Sequence, residues 1–291
     1  MSQNSFSPKY RIGSIFHPSD FSKASEIAFV HALKIALVSK ALLSVLHFES
    51  DSESETEWQD FPGVRETLER WKLIPPGSPK KAVTELGIEV RKVVASGRAL
   101  NPVKACLDFL DINSADLIVL AVHRHEGLMK WLGRSVGEPI ARGAKETTLF
   151  IPDGVQGFVS LEDGSVNLRN ILIPVAAKPS AQPAIEAVAR LILNLQLPPG
   201  AVTLLSVSPG GEMPPVDFPA DTGWSWNRQV VEGHPADTIL QIAETLDADL
   251  IVMTTDGPDG FLDGLRGTTS ERVLWKAKCP VANLPFGSSL G

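Results

Sequence analysis

The chain has 291 residues, 43% hydrophobic and 21% charged, a length and balance that suit two globular domains and exclude a disordered or fibrous polypeptide. Its formal charge of −7 is unevenly placed: residues 1–153 hold 19 Lys and Arg against 19 Asp and Glu, and residues 154–291 hold 8 against 15. The acidic second half argues against a broad nucleic-acid surface, which needs basic side chains to neutralise phosphates. The apolar runs are strand length, well short of the roughly 20 residues of a membrane helix.

The opening MSQNSFSPKYR lacks the apolar stretch of a signal peptide, so a cytoplasmic location is expected. Cys106 and Cys279 are two cysteines in separate apolar contexts, which predicts buried thiols rather than a disulfide framework or a cysteine-rich metal site.

In chain order, Ile12–His17 reads as a first strand, and Ser22 as the N-cap of a helix whose apolar face runs from Ala24 to Leu37. Leu42–Phe48 is a second strand, followed by the acidic run Glu49–Glu57, read as a solvated loop. Helical patterns at 62–73 and 80–87 precede a strand at Val90–Ala95 and a helix at Pro102–Leu110 opened by Asn101. Leu117–His123, a helix at Ser135–Arg142 and the strand Thr147–Ile151 complete the unit.

A stretch rich in Gly, Ser and Asp, Gly154–Arg169, reads as a linker, after which the order repeats. Strands are expected at Ile171–Val175, Val202–Val207, Arg228–Val231, Leu250–Thr254 and Val281–Leu284, with helices at Pro183–Leu195, Ala236–Leu246 and Thr269–Lys276. Between Ser208 and Trp226 the prolines and glycines forbid an ordinary helix, so a loop is expected there. The domains implied are 1–153 and 170–291, joined by 154–169. Alternating strands and helices imply mainly parallel five-stranded sheets covered on both faces, with ligands beyond the carboxyl ends of the strands.

The repeat is visible residue by residue. Ala115 and Ala248 each open the run Ala-Asp-Leu-Ile-Val, and at the same offset Gly127 falls on Gly260, Leu132 on Leu265, Glu138 on Glu271 and Lys145 on Lys278. Within the match, Arg124 stands opposite Gly257 and Arg134 opposite Gly267. A residue without a Cβ lets backbone approach a ligand, and free N–H groups at a strand exit or helix start suit phosphate. The second copy keeps that loop: Thr254, Thr255, Asp256, Gly257, then Gly260, and Gly267, Thr268, Thr269 opening a helix.

These features resemble the universal stress protein family in tandem form, across both repeats. Nucleotide-binding members carry Gly-x2-Gly-x9-Gly-Ser/Thr after the fourth strand; here Gly257, Gly267 and Thr268 match the last three elements and Thr254 replaces the first glycine. The family's Pro-x-Asp near the end of the first strand is kept as Pro18-Ser19-Asp20 in the first repeat, and becomes Pro174-Val175-Ala176 in the second. The resemblance implies two adenine-nucleotide α-hydrolase-like (Rossmann-like, doubly wound) domains, the last strand of each antiparallel and pairing with its counterpart. Thr147–Ile151 against Val281–Leu284 would make an intrachain pseudo-dimer, with a homodimer as a further possibility.

It also implies ATP or a related adenine nucleotide, with Mg2+, in the second domain. Gly257, Gly260, Gly267, Thr268 and Thr269 would face phosphate, Val175 and Val207 the adenine, with Pro174 and Ala176 beside them and Met253, Thr254 and Thr255 on the floor. Asp256, Asp259 and Asp263 oppose a triphosphate unless turned outward or bridged by a cation. The first domain, with Ala121, Arg124 and Arg134 in place of glycines, is expected to be vacant of ATP. The implied role is stress-responsive regulation through an unidentified protein partner, without turnover.

Two other readings stay open on the residues alone. One is a nucleotide-free interaction scaffold. The other is a metal-binding protein or metal-dependent hydrolase built on His17, Asp20, His47, His123 and His125, since imidazole and carboxylate are usual zinc ligands. The same histidines serve equally as satisfied core or strand-end residues.

Overall fold

A computed structural model of the chain describes residues 12–49, 60–96, 101–122, 146–219, 222–255 and 269–286. The expected helix at Ser135–Arg142 and Trp131 lie outside them, as does most of the acidic run after Glu49.

Ten strands form one sheet. In chain order they are β1 (Ser14–Pro18), β2 (Leu42–Glu49), β3 (Glu89–Ser96), β4 (Leu117–Val122), β5 (Thr147–Pro152), β6 (Asn170–Pro174), β7 (Ala201–Val207), β8 (Ser225–Val231), β9 (Leu250–Thr255) and β10 (Val281–Pro285). The helices are α1 (Lys23–Ser39), α2 (Val64–Arg70), α3 (Lys81–Glu85), α4 (Pro102–Ile112), α5 (Gln182–Asn194), α6 (Pro235–Thr245) and α7 (Thr269–Lys276). Across the sheet the order is β3-β2-β1-β4-β5-β10-β9-β6-β7-β8. Each half is thus the same doubly wound unit, and the second is the first turned about the seam.

Within each half every pairing is parallel, including β4 with β5 and β9 with β10. The expectation that the last strand runs antiparallel within its own domain is therefore corrected: the reversal occurs at the seam alone. There β5 and β10 pair antiparallel, Thr148 opposite Asn283, Leu149 opposite Ala282 and Phe150 opposite Val281. Both strands are otherwise sheet edges, and joining them satisfies the N–H and C=O groups each would expose.

The pleat sends alternate residues to opposite faces. On one face Leu117, Leu149, Leu250, Val252 and Leu284 pack beneath α1 and α5; on the other Ile118, Phe150, Ile251 and Val281 belong to the core that includes residues of α4, α6 and α7. Helix α1 is buried almost throughout, from Ala24 to Leu37, and opens as expected with the Ser22 side chain accepting from Ser25 N at 3.1 Å. Asn101 caps α4 by accepting from Lys104 N at 2.8 Å.

The repeated Ala-Asp-Leu-Ile-Val owes its aspartate to a clamp at the opposite end of the sheet from the predicted ligand site. Asp116 Oδ2 accepts from Gly13 N and Ser14 N at 2.8 and 2.9 Å, and Asp249 Oδ2 accepts from Arg169 N and Asn170 N at 2.7 and 2.8 Å. Each carboxylate ties the start of the fourth strand of its half to the start of the first.

The segment 154–169 is no loose tether. Phe158, Val159 and Leu168 are buried, and Val159 forms an antiparallel bridge with Val166. The anchor is His31, fully buried in α1: its Nδ1–H donates to Ile27 O at 2.7 Å, and Nε2 accepts from Phe158 N and Val159 N at 3.0 and 3.1 Å. Gly157 has φ +70°, and a Cβ there would collide with His31 Nε2, so glycine is demanded on both counts. Trp71 adds a bond from Nε1 to Leu161 O at 3.1 Å.

Where the first half has α2 and α3, the second has a loop, as expected: no helix occurs among the described residues between Ser208 and Trp224. Met213 and Val216 pack on the core together with buried Trp224. Gln182 of α5 pins the loop by exchanging two bonds with the Asp217 backbone, accepting at 2.9 Å and donating at 3.4 Å.

Two predictions follow from buried polar groups. Asp249→Ala leaves two strand-start N–H groups without their acceptor and should cost roughly 2 kcal/mol, read as a lower urea midpoint with an unchanged slope. Burial also lowers the pKa of His17 and His31 to about 4, against 6.5 in the open chain. The unfolded state takes up protons first, so each neutral ring stabilises the fold fully above pH 6.5, and that contribution, at most roughly 3 kcal/mol, is lost as pH falls toward 4. His17→Ile, matching Ile173 at the same place in the second half, should flatten part of the decline in unfolding free energy between pH 7 and 4.5; identical slopes would refute this.

Candidate functional site

In each half the strand order reverses beside the first strand, β1 against β4 and β6 against β9, and these are the crevices where ligands bind in such sheets. Each of these pairings lasts for two residue pairs before the strands part: Ile15 with Leu117 and Phe16 with Ile118, then Ile171 with Leu250 and Leu172 with Ile251. Because β5 and β10 run antiparallel, the two crevices open at opposite rims of the slab.

In the second half the expected site residues that the structure describes fall at the carboxyl ends of β6, β7 and β9 and at the start of α7. Val175 is buried, with its N–H donating to Leu205 O at 2.7 Å, while Ala176 is exposed and Pro174 half-buried. Val207, half-buried, ends β7. Met253 is 5% exposed and packs in the core on the α6 and α7 face. Thr255 is also buried, and its carbonyl accepts from Phe286 N at 2.7 Å. The Thr254 hydroxyl is shielded from solvent and has no hydrogen-bond partner among the described residues. Thr269 is the first residue of α7. Gly257, Gly260, Gly267 and Thr268 lie outside the described residues.

One cation near this rim is engaged among the described residues. Arg272 of α7 makes a two-pronged pair with Asp237 in the first turn of α6, at 2.9 and 3.0 Å. Its guanidinium is therefore directed at a helix start rather than left for phosphate.

The first half has the same backbone frame but different contents. Ser19 N donates to Leu46 O at 2.8 Å, the counterpart of Val175 N to Leu205 O, so Asp20 and Phe21 stand where the second half has Ala176 and Ala177. Asp20 is exposed, and its Oδ1 accepts from Ser22 N at 3.0 Å. Phe21, at φ +61°, stacks on His47 with ring centroids 3.9 Å apart, and Phe61 meets Phe21 edge-on at 5.4 Å. A bulky aromatic group thus occupies the rim where the second half carries alanine.

The histidines do not assemble a metal site among the described residues, where no three His, Cys, Asp or Glu side chains come together. His17 is fully buried, with Nδ1 donating to Val119 O at 2.9 Å and Nε2 within 3.4 Å of Ser25 Oγ. Burial holds it neutral, outweighing the raising effects of the Val119 carbonyl and Asp20. His47 Nδ1 donates to Ser19 O at 2.8 Å. His123 and His125 lie outside the described residues. Both cysteines are buried and neither is in a disulfide, and burial pushes the Cys106 thiol up to about 12, so it is not a reactive thiolate. Among the described residues, no helix is long and apolar enough to cross a membrane.

Sequence reasoning missed three residues that organise the fold away from these crevices, Asp116, Asp249 and His31. The aspartate of the repeated pentapeptide, visible twice in the sequence, was the available signal for the strand-start clamp. His31 carried none, because a lone histidine on an apolar helix face does not announce a partner far along the chain.

Comparison with known proteins agrees with this architecture. The family model described as "Universal stress protein family" matches residues 13–152 and 222–285. A universal stress protein of Methanocaldococcus jannaschii is 47% identical over 53 residues, 18% of this chain, and the match spans 31% of that relative's length. Among solved structures, a universal stress protein from Archaeoglobus fulgidus superimposes with a TM-score of 0.63 at 18% identity, covering 95% of this chain and 98% of that one. A putative universal stress protein from Pseudomonas aeruginosa gives 0.58 at 15% identity, covering 96% and 95%. The family match spans well over half of the chain, and each of these two solved folds spans nearly all of it. With two doubly wound halves joined edge to edge, the chain belongs to the universal stress protein family.

Proposed function

We propose that the protein is a regulatory member of its family that binds an adenine nucleotide, ATP or a close relative, in the crevice between β6 and β9 of the second domain. The carrying observation is the early parting of β6 from β9, after Leu172 and Ile251, at the switch point of the sheet and beside Thr254, one of the expected site residues. Small residues support the reading: Val175, Ala176 and Val207 lie at the ends of β6 and β7, and the sequence after β9 has glycines at 257, 260 and 267. Phosphate would meet backbone N–H groups there and at the start of α7, with Mg2+ offsetting the nearby aspartates.

The first domain is assigned a pairing role. Phe21 and His47 fill its rim, and its counterpart loop has Arg124 and Arg134 in place of glycines. No turnover is proposed; a protein partner would read the bound state.

Calorimetric titration with ATP and Mg2+ should give one site per chain. Gly267→Arg should abolish it by placing a side chain in the phosphate position. Thr254→Val should weaken it about fivefold, the loss of one modest hydrogen bond, and Asp20→Ala in the first domain should leave it unchanged. Absence of heat with the wild-type chain, or undiminished binding by Gly267→Arg, would overturn the proposal and leave a scaffold role.

A further inference from the structure

Two helices of the second domain start at the rim of the β6–β9 crevice. Helix α6 follows β8 and α7 follows β9, strands that flank β6 and β7 in the sheet, and both helices pack into the same core. One ion pair joins their starts. Arg272 Nη2 lies 2.9 and 3.0 Å from the two carboxylate oxygens of Asp237, with the side chains 41% and 55% exposed. Asp237 is in the first turn of α6. Arg272 stands three residues after Thr269, which opens α7, so its Cα is about 4.5 Å along the helix axis from that start. Helical side chains lean toward the N-terminus, which brings the guanidinium to the level where α7 begins.

The N-terminal end of a helix carries partial positive charge, which favours anions and disfavours cations. Arg272 is held there against that field by the carboxylate of Asp237. The first domain has neither member of the pair: at the offset of the repeat Lys104 stands for Asp237 and Pro139 for Arg272, and Lys104 pairs with Asp108 inside α4. The pair thus occurs in the half whose sequence keeps Gly257 and Gly267, and not in the half with Arg124 and Arg134. An exposed ion pair is weak, and a guanidinium takes phosphate in the same forked geometry as carboxylate. A phosphate chain of higher charge therefore competes well against Asp237.

We infer that Arg272 is a phosphate-binding residue of the second domain and that Asp237 sets the affinity by competing for it. Binding exchanges the Arg272–Asp237 pair for a pair between Arg272 and phosphate, and Asp237 raises the nucleotide concentration needed to fill the site. This inference rests on the nucleotide reading of the β6–β9 crevice.

The test is calorimetric titration of the full chain with ATP and Mg2+, on the wild type, Asp237→Asn, Arg272→Gln and the double variant, with melting temperature as the check on folding. Asp237→Asn should tighten binding about fivefold, the effect of releasing one exposed ion pair. Arg272→Gln should weaken it about tenfold, the loss of one charge-assisted hydrogen bond. In the Arg272→Gln background, Asp237→Asn should change affinity by less than about twofold, because its effect runs through the guanidinium. An equal gain in both backgrounds would reduce Asp237 to a distant charge and overturn the exchange, as would unchanged or weaker binding by Asp237→Asn. Binding by Arg272→Gln as tight as by the wild type would remove Arg272 from the phosphate site. No heat from the wild type and Asp237→Asn alike would remove the nucleotide reading itself, and this inference with it.

Discussion

The antiparallel junction of β5 with β10 is the constraint on which the remaining geometry depends. Each half alone would end in an apolar edge strand with Leu149 and Phe150, or Val281 and Leu284, beside open backbone. Pairing those edges removes two aggregation-prone borders at once and makes two five-stranded sheets into one of ten strands. It also fixes direction. Strands on the two sides point oppositely, so the carboxyl-end crevices face opposite rims and cannot cooperate on a single small ligand.

That separation lets equivalent positions diverge without mutual interference. His17 of β1 is matched by Ile173, Phe21 by Ala177 and Asp20 by Ala176. The backbone bonds that hold the frame, Ser19 N to Leu46 O and Val175 N to Leu205 O, are kept in both halves. So are the carboxylate clamps of Asp116 and Asp249. Groups that satisfy buried or strand-start amides are retained because an orphaned amide is costly. Side chains at the rim face no such demand and have changed.

The connecting segment shows how a polar group can organise an apolar face. His31 sits in a helix buried from Ala24 to Leu37, where a neutral ring with one donor and one acceptor is satisfied by Ile27 O and by two amides of residues 158 and 159. Phe158 then packs edge-on to the ring at 4.6 Å. The segment covers sheet surface that α1 and α5 leave open near the seam, and it becomes part of the core rather than a hinge.

The identity of the paired edges was implied by the family resemblance, whereas the sequence by itself determined the duplication, the element order and the missing helix after β7. These are written in local terms: an ungapped repeat at 115 and 248, periods of 2 and 3.6, and turn-forming residues at 208–224. It also put the ends of β6 and β7 at Val175 and Val207, within a residue of where they fall, because strand ends can be read from hydrophobic runs. Tertiary structure alone decided that the last strand of each half is parallel to its neighbours, that Met253 faces the core, that 154–169 is anchored by His31, and that His17 and His47 spend ring nitrogens on backbone carbonyls. Each of those outcomes depends on contacts between residues far apart in the chain, and the packing of two domains against one another creates burial that no local pattern encodes.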